Sequence, residues 1–167
     1  DEVVCLPGGK TGRIRGLQNH NHKLQKVAPG YRSAINLNNL SIEDVNRGNV
    51  IALPSTYTPT TRVDASIRLI RNAIVEVRHN MSLKVFAGAS ETLARVRLLG
   101  VETLAPGEEG FVQLELDEPL VAVRGELLQP GEDSPHGLTE ILAPMAGDEH
   151  ELLVLRQSRD RRVVRCI

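Results

Sequence analysis

Thr92-Leu93-Ala94-Arg95-Val96-Arg97-Leu98 alternates without a break. Thr92, Ala94, Val96 and Leu98 share one face, and Leu93, Arg95 and Arg97 share the other. A period of two is the signature of a strand with one buried side. Val112–Leu116 repeats it, with Val112, Leu114 and Leu116 set against Gln113 and Glu115. In Tyr31–Leu37, Ser33, Ile35 and Leu37 oppose Arg32, Ala34 and Asn36. Pro7-Gly8-Gly9, Pro29-Gly30 and Pro106-Gly107-Glu108-Glu109-Gly110 punctuate these runs as turns. The one helical signal is short: Ser41 as a cap, Asp44 three residues on, and Gly48 as a stop. Many short strands between such turns predict an all-β chain of barrels or sandwiches.

The Thr- and Pro-rich stretch Pro54–Thr61 reads as a linker between two domains. A first part of some fifty residues is small for an independent barrel, so it is expected to lean on something else. Gln129–Gly137 has the composition of a loop. Leu152–Gln157 and Arg162–Ile167 flank Ser158-Arg159-Asp160-Arg161 as a candidate hairpin.

Composition narrows the function. The chain has 167 residues, 41% hydrophobic and 25% charged, as expected of a globular protein. Aromatics are 2%, too few for a surface that stacks many bases. No run approaches ~18 consecutive apolar residues, and no basic flank with an apolar core opens the chain. Two cysteines, Cys5 and Cys166, make no disulfide framework. A cytoplasmic protein with no membrane contact is expected. The net charge of −1 hides an asymmetry: residues 1–100 hold 14 basic and 7 acidic residues, residues 101–167 hold 6 and 14. A basic first part suits a polyanion, although two solvated surfaces of opposite sign would give the same count.

No catalytic constellation is visible. Gly8-Gly9-Lys10-Thr11 imitates the end of a phosphate-binding loop, but Val4 stands where the first glycine belongs, so it reads as a hairpin turn. His20 and His22 have metal-ligand spacing without further ligands nearby, and Asn19–His22 reads more simply as a polar turn. Glu108-Glu109, between glycines, reads as a solvated turn. No metal site and no enzyme activity are expected. The cations carry more. Arg62, Arg68, Arg71, Arg78, Lys84, Arg95 and Arg97 recur through the strands of the second part. Outward guanidinium groups could follow an RNA backbone, or they could pair with glutamates and merely solubilise the sheet. Arg32 lies on the face opposite Ile35 and Leu37. If that face lines a pocket, Arg32 is a half-buried cation in need of an anionic partner.

Two stretches carry a resemblance. Ala28–Leu37, with Ile42–Ala52, resembles the end of the second domain of translational GTPases. Val85–Leu99, with Leu104–Leu114 and Glu118–Ala122, is similar to the third domain of the selenocysteine-specific elongation factor family, SelB. The resemblance covers about residues 1–125. It implies two antiparallel β-barrels of the translation-factor type. Residues 1–53 would be a partial second-domain barrel and 54–61 a linker. Residues 62–167 would be a third-domain-like barrel with an inserted loop at 126–150. It implies a non-catalytic module that holds selenocysteyl-tRNA and acts with the ribosome in the full factor. GTP and Mg would belong to a GTPase domain, and this chain would hold no cofactor. Arg32 fits the Gly-x-Arg-x-Ala-x-Asn-Leu pattern and would receive the selenolate in the aminoacyl pocket. Arg62, Arg68, Arg71, Lys84, Arg95 and Arg97 would be the tRNA backbone candidates.

The chain departs from the family in starting inside the second domain. The partial barrel would then be open unless a partner or the C-terminal hairpin filled it. An open edge of this kind would also favour a homodimer. The competing reading is a β-barrel protein-interaction module without an RNA role.

Overall fold

The computed structural model describes residues 1–28 and 31–123 in full, and the backbone of 127–130, 138–142, 153–157 and 164–166. The turn expected at Pro29-Gly30 and the tip expected at Ser158–Arg161 lie outside the described residues. Fifteen strands and one short 3-10 helix, Ile42–Asp44, make up the described structure. Among the described residues no helix is long and apolar enough to cross a membrane. The chain forms two units, Asp1–Thr58 with Glu149–Ile167, and Pro59–Asp148. They divide inside the Thr- and Pro-rich stretch.

The first unit begins with a hairpin of β1 (Glu2–Leu6) and β2 (Lys10–Asn19). Its turn is the Pro7-Gly8-Gly9 stretch, where Gly9 adopts φ +72° and its N–H donates to the Cys5 carbonyl at 2.8 Å. This accounts for Gly8–Thr11 without any phosphate loop. β3 (His22–Leu24) returns along β2 with Asn19 opposite His22. The two residues between them, His20 and Asn21, both have positive φ, at 47° and 66°. That is the geometry a two-residue hairpin of matching twist requires. The His-Asn-His motif is therefore a turn.

β4 (Ser33–Asn38) pairs with β2, and β5 (Val50–Ala52) pairs with β1. Ser33 and Ile35 are buried and Asn36 is exposed, as the alternation requires. The core is thin: Val3, Cys5, Ile35, Val45 and Ile51 are buried, with Ile14, Leu17, Leu37 and Leu40 packed against them.

The second unit comprises β6 (Thr60–Leu69), β7 (Val77–Arg78), β8 (Ser82–Ala87), β9 (Ser90–Leu99), β10 (Thr103–Leu104) and β11 (Glu109–Leu120). It adds β12 (Leu127–Pro130) and β13 (Leu138–Leu142). Strands β11-β6-β13-β12-β8-β9 close a barrel, and β7 pairs with β10 apart from it. Thr92, Ala94, Val96 and Leu98 face the interior with Val112, Leu114 and Leu116. Ile67, Val85, Val96, Val112 and Leu114 are fully enclosed. Burying each such side chain stabilises by about 1.5–3 kcal/mol. The buried Thr92 hydroxyl accepts the Glu118 N–H at 3.1 Å, so its polarity is satisfied.

Two expectations about the C-terminal third need correction. Residues 126–150 do not form only a loop. β12 pairs with β8 and β13 with β6, and the two fill the gap between those strands. Leaving the gap open would have exposed two rows of unpaired backbone groups. The rest of 126–150 lies outside the described residues. The final strands do not belong with 62–148 either. β14 (Leu153–Gln157) and β15 (Val164–Cys166) form the expected hairpin, but it joins the first unit, β14 on β5 and β15 on β4. With β1 paired to β2, the circuit β1-β5-β14-β15-β4-β2 returns on itself. Strands from residues 1–58 alone leave it incomplete, and the hairpin supplies the missing width.

Candidate nucleic-acid interface

The outward face of the second barrel is organised in cross-strand rows. Glu109 stands opposite Arg68, and Gln113 lies between Asp64 and Arg97. Glu115 lies between Arg62 and Arg95. Opposite charges on neighbouring strands attract, and ion pairs close here in direct register at Arg68–Glu109 and diagonally at Lys84–Glu91 and Arg97–Glu115. Arg68 binds Glu109 at 3.1 Å and Lys84 binds Glu91 at 3.3 Å. Arg97 binds Glu115 at 3.2 Å and also hydrogen-bonds Asn80. Three of the six backbone candidates are thus occupied by carboxylates, and Arg78 is likewise held by Glu76 at 2.6 Å. Arg62, Arg71 and Arg95 are exposed with no ion-pair partner among the described residues. The alternation of Thr92–Leu98 placed Arg95 and Arg97 on one face. It gave no register, so it could not say which were neutralised.

The pair Glu108-Glu109 does structural work. The Glu108 carboxylate accepts the Ala105 N–H at 2.8 Å, and Glu109 holds Arg68.

Arg32 precedes β4 and is exposed. The sequence makes Arg32 a buried or half-buried cation only if its face lines a pocket; among the described residues it stands at the surface. Its neighbour Ser33 buries a hydroxyl that has no hydrogen-bond partner among the described residues.

The first unit carries a site that the sequence reading passed over. Between β2, β3 and β4 lies a concavity of about 440 Å³. Arg15, Gln18, Lys23 and Asn36 are among the residues that line it, with Leu24 and Ile35. Arg15 and Lys23 are exposed and have no ion-pair partner among the described residues. The register of β2 against β4 shifts between Ile14 and Gly16. Ile14 and Leu17, three apart, both pack against the core, so the shift resets the apolar phase and leaves Arg15 outward. Arg13, two residues earlier, faces Glu2 across β1. The Arg13-Ile14-Arg15 spacing was the available signal, the same one that drew attention to Arg95 and Arg97.

A second cluster holds the end of this unit together. Lys10 donates to Asp44, whose other oxygen accepts the Ser41 N–H at 2.9 Å. Those bonds hold the Asp44 carboxyl down to about 2. Beneath it, burial and then the Asp44 charge push the Cys5 thiol up, which keeps it a neutral core group. Among the described residues no three His, Cys, Asp or Glu side chains come together as a metal site.

Comparison with known proteins now places the chain. Residues 60–128 match the family model described as the β-barrel domain of the selenocysteine-specific elongation factor. The chain is 29% identical over 126 residues to a selenocysteine-specific elongation factor of Desulfomicrobium baculatum, covering 75% of this chain and 20% of that protein. It is 27% identical over 104 residues to an elongation factor 1-alpha of Saccharolobus solfataricus, covering 58% and 24%. An elongation factor 1-alpha of Metallosphaera sedula is 33% identical over 70 residues, covering 42% and 16%. The chain thus spans about a quarter or less of the relatives named here. Residues 60–128 are thus similar to the β-barrel domain of the selenocysteine-specific elongation factor, and the all-β architecture is of the kind found in β-barrel translation-factor domains.

Proposed function

We propose that this chain is a non-catalytic tRNA-binding module that holds selenocysteyl-tRNA by its backbone and its aminoacyl end. The observation that carries this reading is the 126-residue match to a selenocysteine-specific factor, which is longer than either structural unit. The exposed cations support it. Arg15 and Lys23 sit at a groove, Arg32 stands near it in sequence, and Arg62, Arg71 and Arg95 face outward from the second barrel. Guanidinium and ammonium groups without carboxylate partners are the ones able to replace phosphate counterions. Arg68, Lys84 and Arg97 reach RNA in this reading only by exchanging a carboxylate for a phosphate. Arg32 receives the selenolate: selenols ionise below neutral pH, so a fixed cation prefers selenocysteine over serine. GTP and Mg belong to a GTPase domain, and the ribosome is met in the context of the full factor in the cytoplasm.

The test is binding of selenocysteyl-tRNA and of the same tRNA charged with serine, across a salt series. Affinity should fall steeply with salt, and Arg32→Ala should reduce the preference for selenocysteine. Affinity indifferent to salt would refute backbone tracking, and equal loss for both tRNAs would refute the role of Arg32.

One observation favours the protein-contact reading for a different surface. Phe111, 68% exposed, lies directly opposite Leu99, 52% exposed, on the outer face of the second barrel. Phe111→Ser should leave tRNA affinity unchanged if that face serves protein contacts alone.

A further inference from the structure

The first unit contains a slot two strands wide. On one side β5 pairs with β1, and on the other β4 pairs with β2. Their remaining edges face the space that β14 and β15 occupy. Leu153 stands opposite Ile51 and Val154 opposite Val50. Cys166 stands opposite Ser33, Arg165 opposite Ala34 and Val164 opposite Ile35. The occupant is not continuous in sequence with its slot. The chain leaves this unit at Thr58, runs through Pro59–Asp148, and returns at Glu149.

The backbone bonds that hold the hairpin require only a strand of suitable register on each side. They do not require that hairpin and slot belong to one chain. An empty slot would leave both β4 and β5 as unpaired edges beside Ser33, Ile35 and Ile51, all buried. We propose that this slot is a hairpin-acceptor site, and that two copies of the chain exchange their Leu153–Cys166 hairpins across it. The same strand pairs form within one chain and between two, so the choice depends on concentration. The tether gives the chain's own hairpin an effective concentration of about the millimolar order. The proposal is independent of the RNA reading, since it uses no residue of the basic groove.

The test uses the whole 167-residue chain carrying Ser33→Cys, which places a thiol opposite Cys166. Directly paired residues of an antiparallel ladder lie within the separation a disulfide spans. The protein is unfolded, refolded at a series of concentrations, oxidised, and analysed by non-reducing gel and peptide mass mapping. The 33–166 bond should form within one chain at low concentration. Its intermolecular share should rise from under about a tenth near 10 µM to above about half near 1 mM. Should Ser33→Cys fail to fold, Ala34→Cys with Arg165→Cys probes the next pair in register. Absence of any bond between these partners would show that the hairpin does not occupy the slot. A bond confined to single chains at every concentration would refute the exchange.

Discussion

Removing Arg15 and Lys23 together tests the groove more sharply than any other change. Both side chains are exposed, so truncation should shift stability by no more than about 0.5 kcal/mol each. Neither has an ion-pair partner among the described residues, so each can displace a counterion from a phosphate. The logarithm of affinity falls with the logarithm of salt by about 0.9 per duplex phosphate neutralised, or about 0.7 on single strands. At 0.1 M salt that is roughly an eightfold or fivefold contribution per cation. Arg15→Ala with Lys23→Ala should weaken tRNA binding by about 60-fold on a duplex segment, or about 25-fold on a single strand. The salt slope should flatten by about 1.8 or 1.4 units, which also tells the two kinds of RNA apart. Fluorescence anisotropy of labelled tRNA at several salt concentrations reads both quantities. Arg68→Ala is the control: Glu109 lies 3.1 Å away, so the change should stay within about twofold. An unchanged slope in the double variant, or a larger effect from Arg68→Ala, would refute the assignment of the groove.

Three further outcomes follow from the packing and the charges. Ile67 is fully enclosed in the second barrel, so Ile67→Ala should cost about 2–5 kcal/mol in denaturant unfolding. A Cβ on Gly12 would lie 2.7 Å from the Leu40 side chain and 2.9 Å from the Asn38 carbonyl oxygen. Because the second contact is backbone and cannot swing away, Gly12→Ala should destabilise the first unit by about 1–3 kcal/mol in thermal melts. Asp44 is held below its usual 3.8, down to about 2, so its contribution to stability is full above 3.8 and disappears as pH falls through 2. The stability difference between the native protein and Asp44→Asn should therefore shrink across that window in acid titrations followed by circular dichroism.

The alternation in Thr92–Leu98, Val112–Leu116 and Ser33–Leu37 determined which residues enter the core, because a strand sends successive side chains to opposite faces whatever its neighbours are. Local turn chemistry likewise fixed the Gly8-Gly9 and His20-Asn21 hairpins, since the required positive φ is a property of a few adjacent residues. Only the tertiary structure decided which strand lies beside which. Arg97 and Glu115 meet across 18 residues of chain, and nothing in either segment states the register that joins them. The Leu127–Pro130 and Leu138–Leu142 strands were hidden for the same reason, because their partners β8 and β6 lie far off in sequence. The last hairpin was one of two ways to fill the open first barrel, and only the pairing of β14 with β5 and β15 with β4 chose it. A period of two names the buried face of a strand and is silent about its edges, and both the closure of the first barrel and the Arg15–Lys23 groove are made at those edges.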